Sequence, residues 1–216
     1  MKKRLLSVLL CSAMVAAMAV GCGGGSSDSG SSDEGGSDSG SSDVITIGFS
    51  QVGAESDWRT ANSESMQDTF SEENGYNLIF DDAQQKQENQ ITAIRNFINQ
   101  EVDYILLAPV TETGWDTVLQ EAYDADIPVI IVDRMVEVSN DDLYTTWIGT
   151  DSLLEGRKAA EWLNAYATAK GWAPEDLHIV DIQGTIGSTA QIGRTQGLEE
   201  GVEKYGWDLL AQQTGE

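Results

Sequence analysis

From Val44 onward, short apolar runs alternate with stretches whose apolar residues recur every three or four positions. Val44-Ile45-Thr46-Ile47-Gly48-Phe49-Ser50 reads as a first strand, and a helix is predicted from about Trp58 to Asn74, stopped by Gly75. Tyr76 to Phe80 is a second strand. The helix expected over Gln87 to Gln100 lines up Ile91, Ile94, Phe97 and Ile98 on one face. Tyr104 to Ala108 is a continuous apolar strand halted by Pro109; Trp115, Val118, Leu119 and Ala122 mark the next helix, and Ile127 to Val132 the fourth strand. Runs that are apolar on both faces suit a parallel sheet covered by helices on each side.

After Asp133-Arg134 the rhythm breaks into a polar loop, Glu137 to Asp142, followed by a strand-like Tyr144 to Gly149. A long helix from Asp151 to about Lys170, a strand Leu177 to Ile182, a helix Ser188 to Tyr205 and a strand Trp207 to Ala211 complete the pattern. Trp115 and Trp162 fall at helical spacing with core positions and read as packing residues. The pattern predicts an α/β fold of two doubly wound parallel-sheet lobes, one over residues 44–149 and a second over 150–216. The second has only two strands and two helices, too few to close a core, so it is expected to be incomplete and the chain alone to bind weakly or fold only partly.

The residues before this pattern are of another kind. Met1-Lys2-Lys3-Arg4 is a basic start, Leu5 to Val20 is apolar and uncharged, and small residues precede Cys22. This order is that of an export signal, expected over residues 1–21. It resembles a lipobox, with Ala19 where leucine is usual, and implies a lipid on Cys22 that anchors the chain to the outer face of a membrane. From Gly23 to Asp43 the chain is almost wholly Gly, Ser, Asp and Glu. Residues 22–43 are therefore expected to be a lipidated end and a flexible tether, with a reach of roughly 25 Å. Of the two cysteines, Cys11 leaves with the signal and Cys22 carries the lipid, so no disulfide is expected.

The formal net charge of −24 argues against nucleic acid or anionic lipid as ligand and otherwise reads as a solvated acidic surface. Ligands of open parallel sheets bind beyond the carboxyl ends of the strands. Those ends carry Ser50, Asp81-Asp82, Ala108-Pro109, Asp133-Arg134, Thr150-Asp151 and Gln183-Gly184-Thr185. The set is rich in carboxylate, amide, hydroxyl and guanidinium groups. With a single histidine, His178, no cysteine left in the mature domain and no defensible carboxylate pair, it contains no catalytic apparatus and calls for no metal or cofactor. In the loop Gly53-Ala54-Glu55-Ser56-Asp57-Trp58-Arg59, an aromatic stands beside a cation at the start of the first helix. A sugar ring needs an apolar face for its C–H side and ionic groups for its hydroxyls. Trp58 offers the first, and Glu55, Arg59, Asp133 and Arg134 the second, through charge-assisted bonds on the order of 1.5–3 kcal/mol each. Gln84 to Gln90 reads as a polar helix start.

Phe49-Ser50-Gln51-Val52-Gly53, Trp58-Arg59, the Gln84-Gln85-Lys86-Gln87-Glu88-Asn89-Gln90 run, Ala108-Pro109-Val110, Thr113-Gly114-Trp115, Ile127-Pro128-Val129, Asp133-Arg134 and Gln183-Gly184-Thr185 resemble the type I periplasmic sugar-binding family. Within its ribose/galactose group the resemblance is to the galactofuranose-binding branch, and it covers Val44 to about Gly215. The Trp-Arg pair and the glutamine-rich run are particular to that branch, whereas Ile-Pro-Val and Asp-Arg belong to the whole superfamily. The resemblance implies a two-lobed clamp that closes on one monosaccharide and passes it to the permease of an ABC importer. It implies sugar contacts at Glu55, Trp58, Arg59, Asp133 and Arg134 from the first lobe, and at Thr185 and Arg194 from the second. Ribose binders carry asparagine at the position of Ala108 and paired aromatics where Trp58-Arg59 stand, which speaks against ribose. A monomer outside the cytoplasmic membrane, periplasmic or at the cell surface, is expected. The alternative reading is a sugar sensor that presents its ligand to a chemoreceptor or sensor kinase; the lack of a nucleophile–base pair speaks against an enzyme, and the export signal and acidic tether against a transcription regulator.

Overall fold

The computed structural model describes residues 44–215. The expected export signal, Cys22 and the tether lie outside those residues. Five strands, β1 (Ile45–Gln51), β2 (Tyr76–Asp82), β3 (Tyr104–Leu107), β4 (Val129–Asp133) and β5 (Thr146–Gly149), form one sheet in the order β2-β1-β3-β4-β5. Every pairing in it is parallel. The order reverses between β1 and β3, so their outgoing loops diverge and leave a crevice at the carboxyl edge.

Helices α1 (Asp57–Thr69), α2 (Gln87–Asn99) and α3 (Asp116–Asp124) connect these strands. On one face of the sheet Ile94, Phe97, Trp115, Val118 and Leu119 pack with Ile105, Leu107 and Ile131. On the other, Met66 and Phe70 pack on Ile47, Phe49, Leu106 and Val132. The two clusters explain why the strands are apolar on both sides. Phe97 lies so close over β1 that a Cβ at Gly48 would stand 2.4 Å from its Cγ.

Most elements differ by one or two residues from their expected bounds, and three differences have a clear cause or extent. The first helix stops at Thr69 rather than Asn74, because the Asn74 amide donates to the carbonyls of Asp68 (2.9 Å) and Thr69 (3.1 Å) and Gly75 turns the chain at φ +86. The fourth strand begins at Val129, after Pro128, which has no N–H for the ladder but whose carbonyl accepts from Ile105 N at 3.0 Å. The last strand runs on to Thr214, past the expected Ala211.

From Gly149 the chain enters α4 (Ser152–Lys170), β6 (His178–Gln183), α5 (Thr189–Tyr205) and β7 (Asp208–Thr214), with β6 and β7 paired in parallel as a second sheet. Helices α4 and α5 meet through small residues: a Cβ at Gly201 would lie 2.4 Å from that of Ala160, and one at Gly156 would lie 2.5 Å from the Arg194 carbonyl. Ala160, Ala167, Leu177 and Trp207 make the small core there, while Val180, Ile182 and Leu210 on the opposite side of the sheet stay exposed. The reading of Trp162 as a packing residue is corrected: it is 65% exposed and stacks on Tyr166 at 5.3 Å between centroids. Glycine and alanine, not the aromatics, take the inner face of α4, because only they allow α5 to come so near. Trp115 is fully buried as expected, with its indole N–H donating to the Thr111 carbonyl at 2.7 Å. His178 is exposed beside Asp208.

Gly48→Ala is expected to lower the unfolding free energy by about 1–3 kcal/mol, since Phe97 must leave its rotamer or the helix must shift. Urea denaturation followed by tryptophan fluorescence measures this, and an unchanged midpoint would show that α2 yields at no cost.

Candidate functional site

The first helix starts where Ser56, extended at φ −153, accepts the Arg59 backbone N–H on its hydroxyl at 3.2 Å. This cap sets Arg59 three residues into the helix and turns its side chain inward. The helix DWRTANSESMQDT is polar almost throughout, and Arg59, 3% exposed, is its one buried residue. Its Nε meets Glu55 Oε1 at 3.2 Å and its Nη2 meets Asp133 Oδ2 at 2.8 Å. Nη1 is buried with no hydrogen-bond partner. The guanidinium lies 4.9 Å from the centroid of the Trp58 ring, which is itself 57% exposed.

Asp133 reaches Arg59 from an unusual backbone. It ends β4 at φ +65, a left-handed conformation that costs a non-glycine residue about 1 kcal/mol and that aspartate tolerates better than most. The Trp147 indole N–H holds its carbonyl at 3.1 Å. Opposite stands Gly149, where a Cβ would fall 2.2 Å from that same oxygen. The next residue, Arg134, donates from Nη1 to the Val110 carbonyl at 3.1 Å and brings Nη2 to 3.8 Å from Glu55 Oε1.

Glu55, Trp58, Arg59, Asp133 and Arg134 are thus brought together at the carboxyl edge of the first sheet. Arg134 also lines a cavity of about 200 Å³ with Gln183, Thr185, Gln191, Arg194 and Thr195 from the second sheet and its helix. Thr185 and Arg194 therefore face Arg134 across that space, whereas Glu55, Trp58, Arg59 and Asp133 are not among its lining residues. Arg194 is exposed and bound to Glu155 of α4, both Nε and Nη2 lying 2.9 Å from Oε2.

Several contributors escaped the sequence reading. Thr189 links the two halves: its hydroxyl accepts from Met135 N at 2.7 Å and donates to Met135 O at 3.0 Å. Glu112 N donates to Gly187 O at 2.9 Å beside it. Gln51, fully buried, binds Asn62 Oδ1 (2.8 Å) and Ser63 Oγ (3.1 Å) and so ties α1 to the end of β1. Gln87 and Gln90 do more than begin a helix, since their amides hold the loop after β3. A glutamine at helical spacing with Ile94 and Phe97 was the available sign for Gln90. The two-way bond of Thr189 left no mark in local sequence.

Two acids close β2. Asp82 accepts the Gln84 backbone N–H at 2.8 Å. Asp81 has a buried Oδ1 without a partner, and its pKa is raised above the usual aspartate value by burial and, less, by the charge of Asp82.

Comparison with known proteins places the chain among relatives. The family described as periplasmic binding protein domain matches residues 47–215. Over 159 residues the chain is 43% identical to the galactofuranose-binding protein YtfQ of Escherichia coli, covering 74% of this chain and 48% of that protein. A Mycobacterium smegmatis protein solved with β-D-fucofuranose superposes with a TM-score of 0.74 at 48% identity, over 80% of this chain and 56% of its own. The binding component of the Shewanella sp. ANA-3 arabinose ABC transporter, solved with α- and β-L-arabinofuranose, gives a TM-score of 0.73 at 47% identity, over 80% and 55%. The chain spans about half the length of the curated relatives it matches.

Because the folded-state pKa of Asp81 is raised, the native chain holds more protons than the unfolded one in the interval above pH 3.8, and stability falls as pH rises through it. Asp81→Asn is expected to remove that slope and to stabilise the fold at neutral pH. Thermal midpoints of both proteins from pH 3.5 to pH 7 (roughly the span in which carboxyl groups titrate) test this; parallel profiles would show that Asp81 is as well solvated folded as unfolded.

Proposed function

The chain belongs to the periplasmic binding protein family and has its type I α/β fold, and from that premise we propose that it captures a furanose-ring monosaccharide of the galactofuranose kind and delivers it to an ABC importer. The observation that carries the reading is the unsatisfied Nη1 of buried Arg59, set between two carboxylates beside the exposed face of Trp58. A buried guanidinium N–H without an acceptor is costly. A sugar hydroxyl oxygen supplies the missing acceptor, Glu55 and Asp133 accept hydrogen bonds from sugar hydroxyls, and the indole covers the C–H face of the ring. The furanose preference draws support from the relatives, one named for galactofuranose and two solved with fucofuranose and arabinofuranose.

In this reading residues 44–149 and 150–216 are parts of two lobes of one clamp. The sugar meets Trp58, Arg59, Asp133 and Arg134 on the first, and the second brings Thr185 and Arg194 over it. The ligand favours the closed form only through contacts made there and not in the open form; Arg194 exchanges Glu155 for the sugar or bridges both. Cys22 carries the lipid, residues 22–43 hold the body near the permease, and the protein works as a monomer at the outer face of the membrane.

Calorimetric titration with galactofuranose, galactopyranose, L-arabinose and ribose is expected to rank the furanose-forming hexose and pentose sugars of the galacto and arabino series first. Asp133→Ala is expected to weaken the best of them by about 2–5 kcal/mol, because Arg59 is left buried and under-paired. Undiminished affinity in that variant would remove Asp133 from the site, and no heat from any sugar with the native protein would overturn the carbohydrate reading. Cys22→Ser is expected to abolish incorporation of labelled palmitate and move the protein from the membrane to the soluble fraction; labelling that persists would refute the anchor.

A further inference from the structure

We infer that Gln90 is a positioning residue for the cleft, acting through the loop after β3 on Arg134. Gln90 lies on the face of α2 that also carries Ile94 and Phe97, and it is fully buried. A buried primary amide costs free energy unless all its polar atoms are bound, and at such a place an aliphatic side chain is the ordinary choice. Here the binding is complete. Nε2 donates to Ala108 O at 2.7 Å and, at longer range, to Ser50 O at 3.4 Å; Oε1 accepts from Val110 N at 2.9 Å.

The need arises where the strand ends. Ala108 N still donates to Ser50 O at 3.0 Å, but Pro109 follows with no N–H, and the chain leaves the sheet. Val110 N is thereby left without a ladder partner in a buried place, and Gln90 supplies one. The carbonyl of Val110 is the group that receives Arg134 Nη1 at 3.1 Å. Both backbone polar groups of one residue are thus committed, one to the glutamine and one to the cleft arginine. One turn earlier on the same helix, Gln87 steadies the same loop, donating to Thr113 O at 2.7 Å and accepting from the Thr111 hydroxyl at 3.1 Å. Glu112, between these anchors, donates its N–H to Gly187 of the second half at 2.9 Å. The glutamine pair holds the segment on which the cleft arginine rests and against which the other half docks.

The affinity arm of the test rests on the sugar-binding reading, and the second arm does not. Gln90→Met keeps length and apolar packing but offers neither amide group. With L-arabinose as probe, Gln90→Met is expected to weaken binding about tenfold in the native background, and less than twofold when Arg134 is already Lys, as for residues coupled through one network. In the ligand-free protein, the Arg134 side-chain N–H resonances are expected to lose exchange protection in Gln90→Met. Affinity within twofold of native, or an equal loss in both backgrounds, would overturn the inference and leave Gln90 a packing residue, whatever happens to the unfolding midpoint. Should L-arabinose fail to bind the native protein, the arginine resonances decide alone: lost protection supports the role, and unchanged protection refutes it.

Discussion

A single buried guanidinium joins the first helix to the strand on the far side of the crevice. Arg59 is the one residue of α1 that is buried, and it is held by Glu55 in the preceding loop and by Asp133 at the end of β4. Removing one partner from such a group strands a buried charge, which costs several kcal/mol more than an exposed ion pair. The arrangement therefore dictates much around it. Ser56 must cap the helix so that Arg59 points inward, Asp133 must take a left-handed backbone to reach it, and residue 149 must be glycine to leave room for the Asp133 carbonyl. Even so assembled, the guanidinium keeps one buried nitrogen, Nη1, without an acceptor.

The rest of the first half divides its labour cleanly. Apolar strands and two layers of helix supply rigidity, with Phe97 pressed onto Gly48 and Trp115 sealed beneath α3. Polar side chains then fasten the loops where the strands stop. Gln51 fastens α1, Gln90 and Gln87 fasten the loop after β3, and Trp147 fastens the turn after β4. The loops that bear the site are thus irregular in path yet held at both N–H and C=O groups. Among the described residues the second half meets this frame through Thr189 on Met135 and Glu112 on Gly187, and no buried apolar cluster spans the two halves. Such a junction is suited to a hinge or a clamp, where closure must be decided by a small difference in free energy.

Much of this was legible in residue order because it rests on local rules. Short apolar runs gave away the strands of the described residues, and the candidate residues Glu55, Trp58, Arg59, Asp133 and Arg134 stood after strand ends and at the start of a helix. Legibility failed where an element's environment depends on a distant partner. Trp162 has the spacing of a core residue on α4, yet glycine and alanine occupy that helix's inner face because α5 approaches too closely for anything larger. The first helix ended early through a side chain beyond it, that of Asn74. Family resemblance pointed to Arg194 as a contact, but only the neighbouring helix shows it engaged with Glu155.

By itself the residue order determined the parallel α/β plan, the chemical character of the cleft and the ionic groups available to it, since these follow from hydrophobic period, turn chemistry and residue type. Tertiary structure alone decided which of those groups meet: that Arg59 is shared by two carboxylates, that Arg134 rests on the Val110 carbonyl, and that one threonine hydroxyl grips Met135 from both sides. The reason is physical. Period and propensity act over a few residues, whereas a charge or hydrogen bond depends on distances of about 3 Å between groups that the chain keeps dozens of residues apart until the sheet has formed.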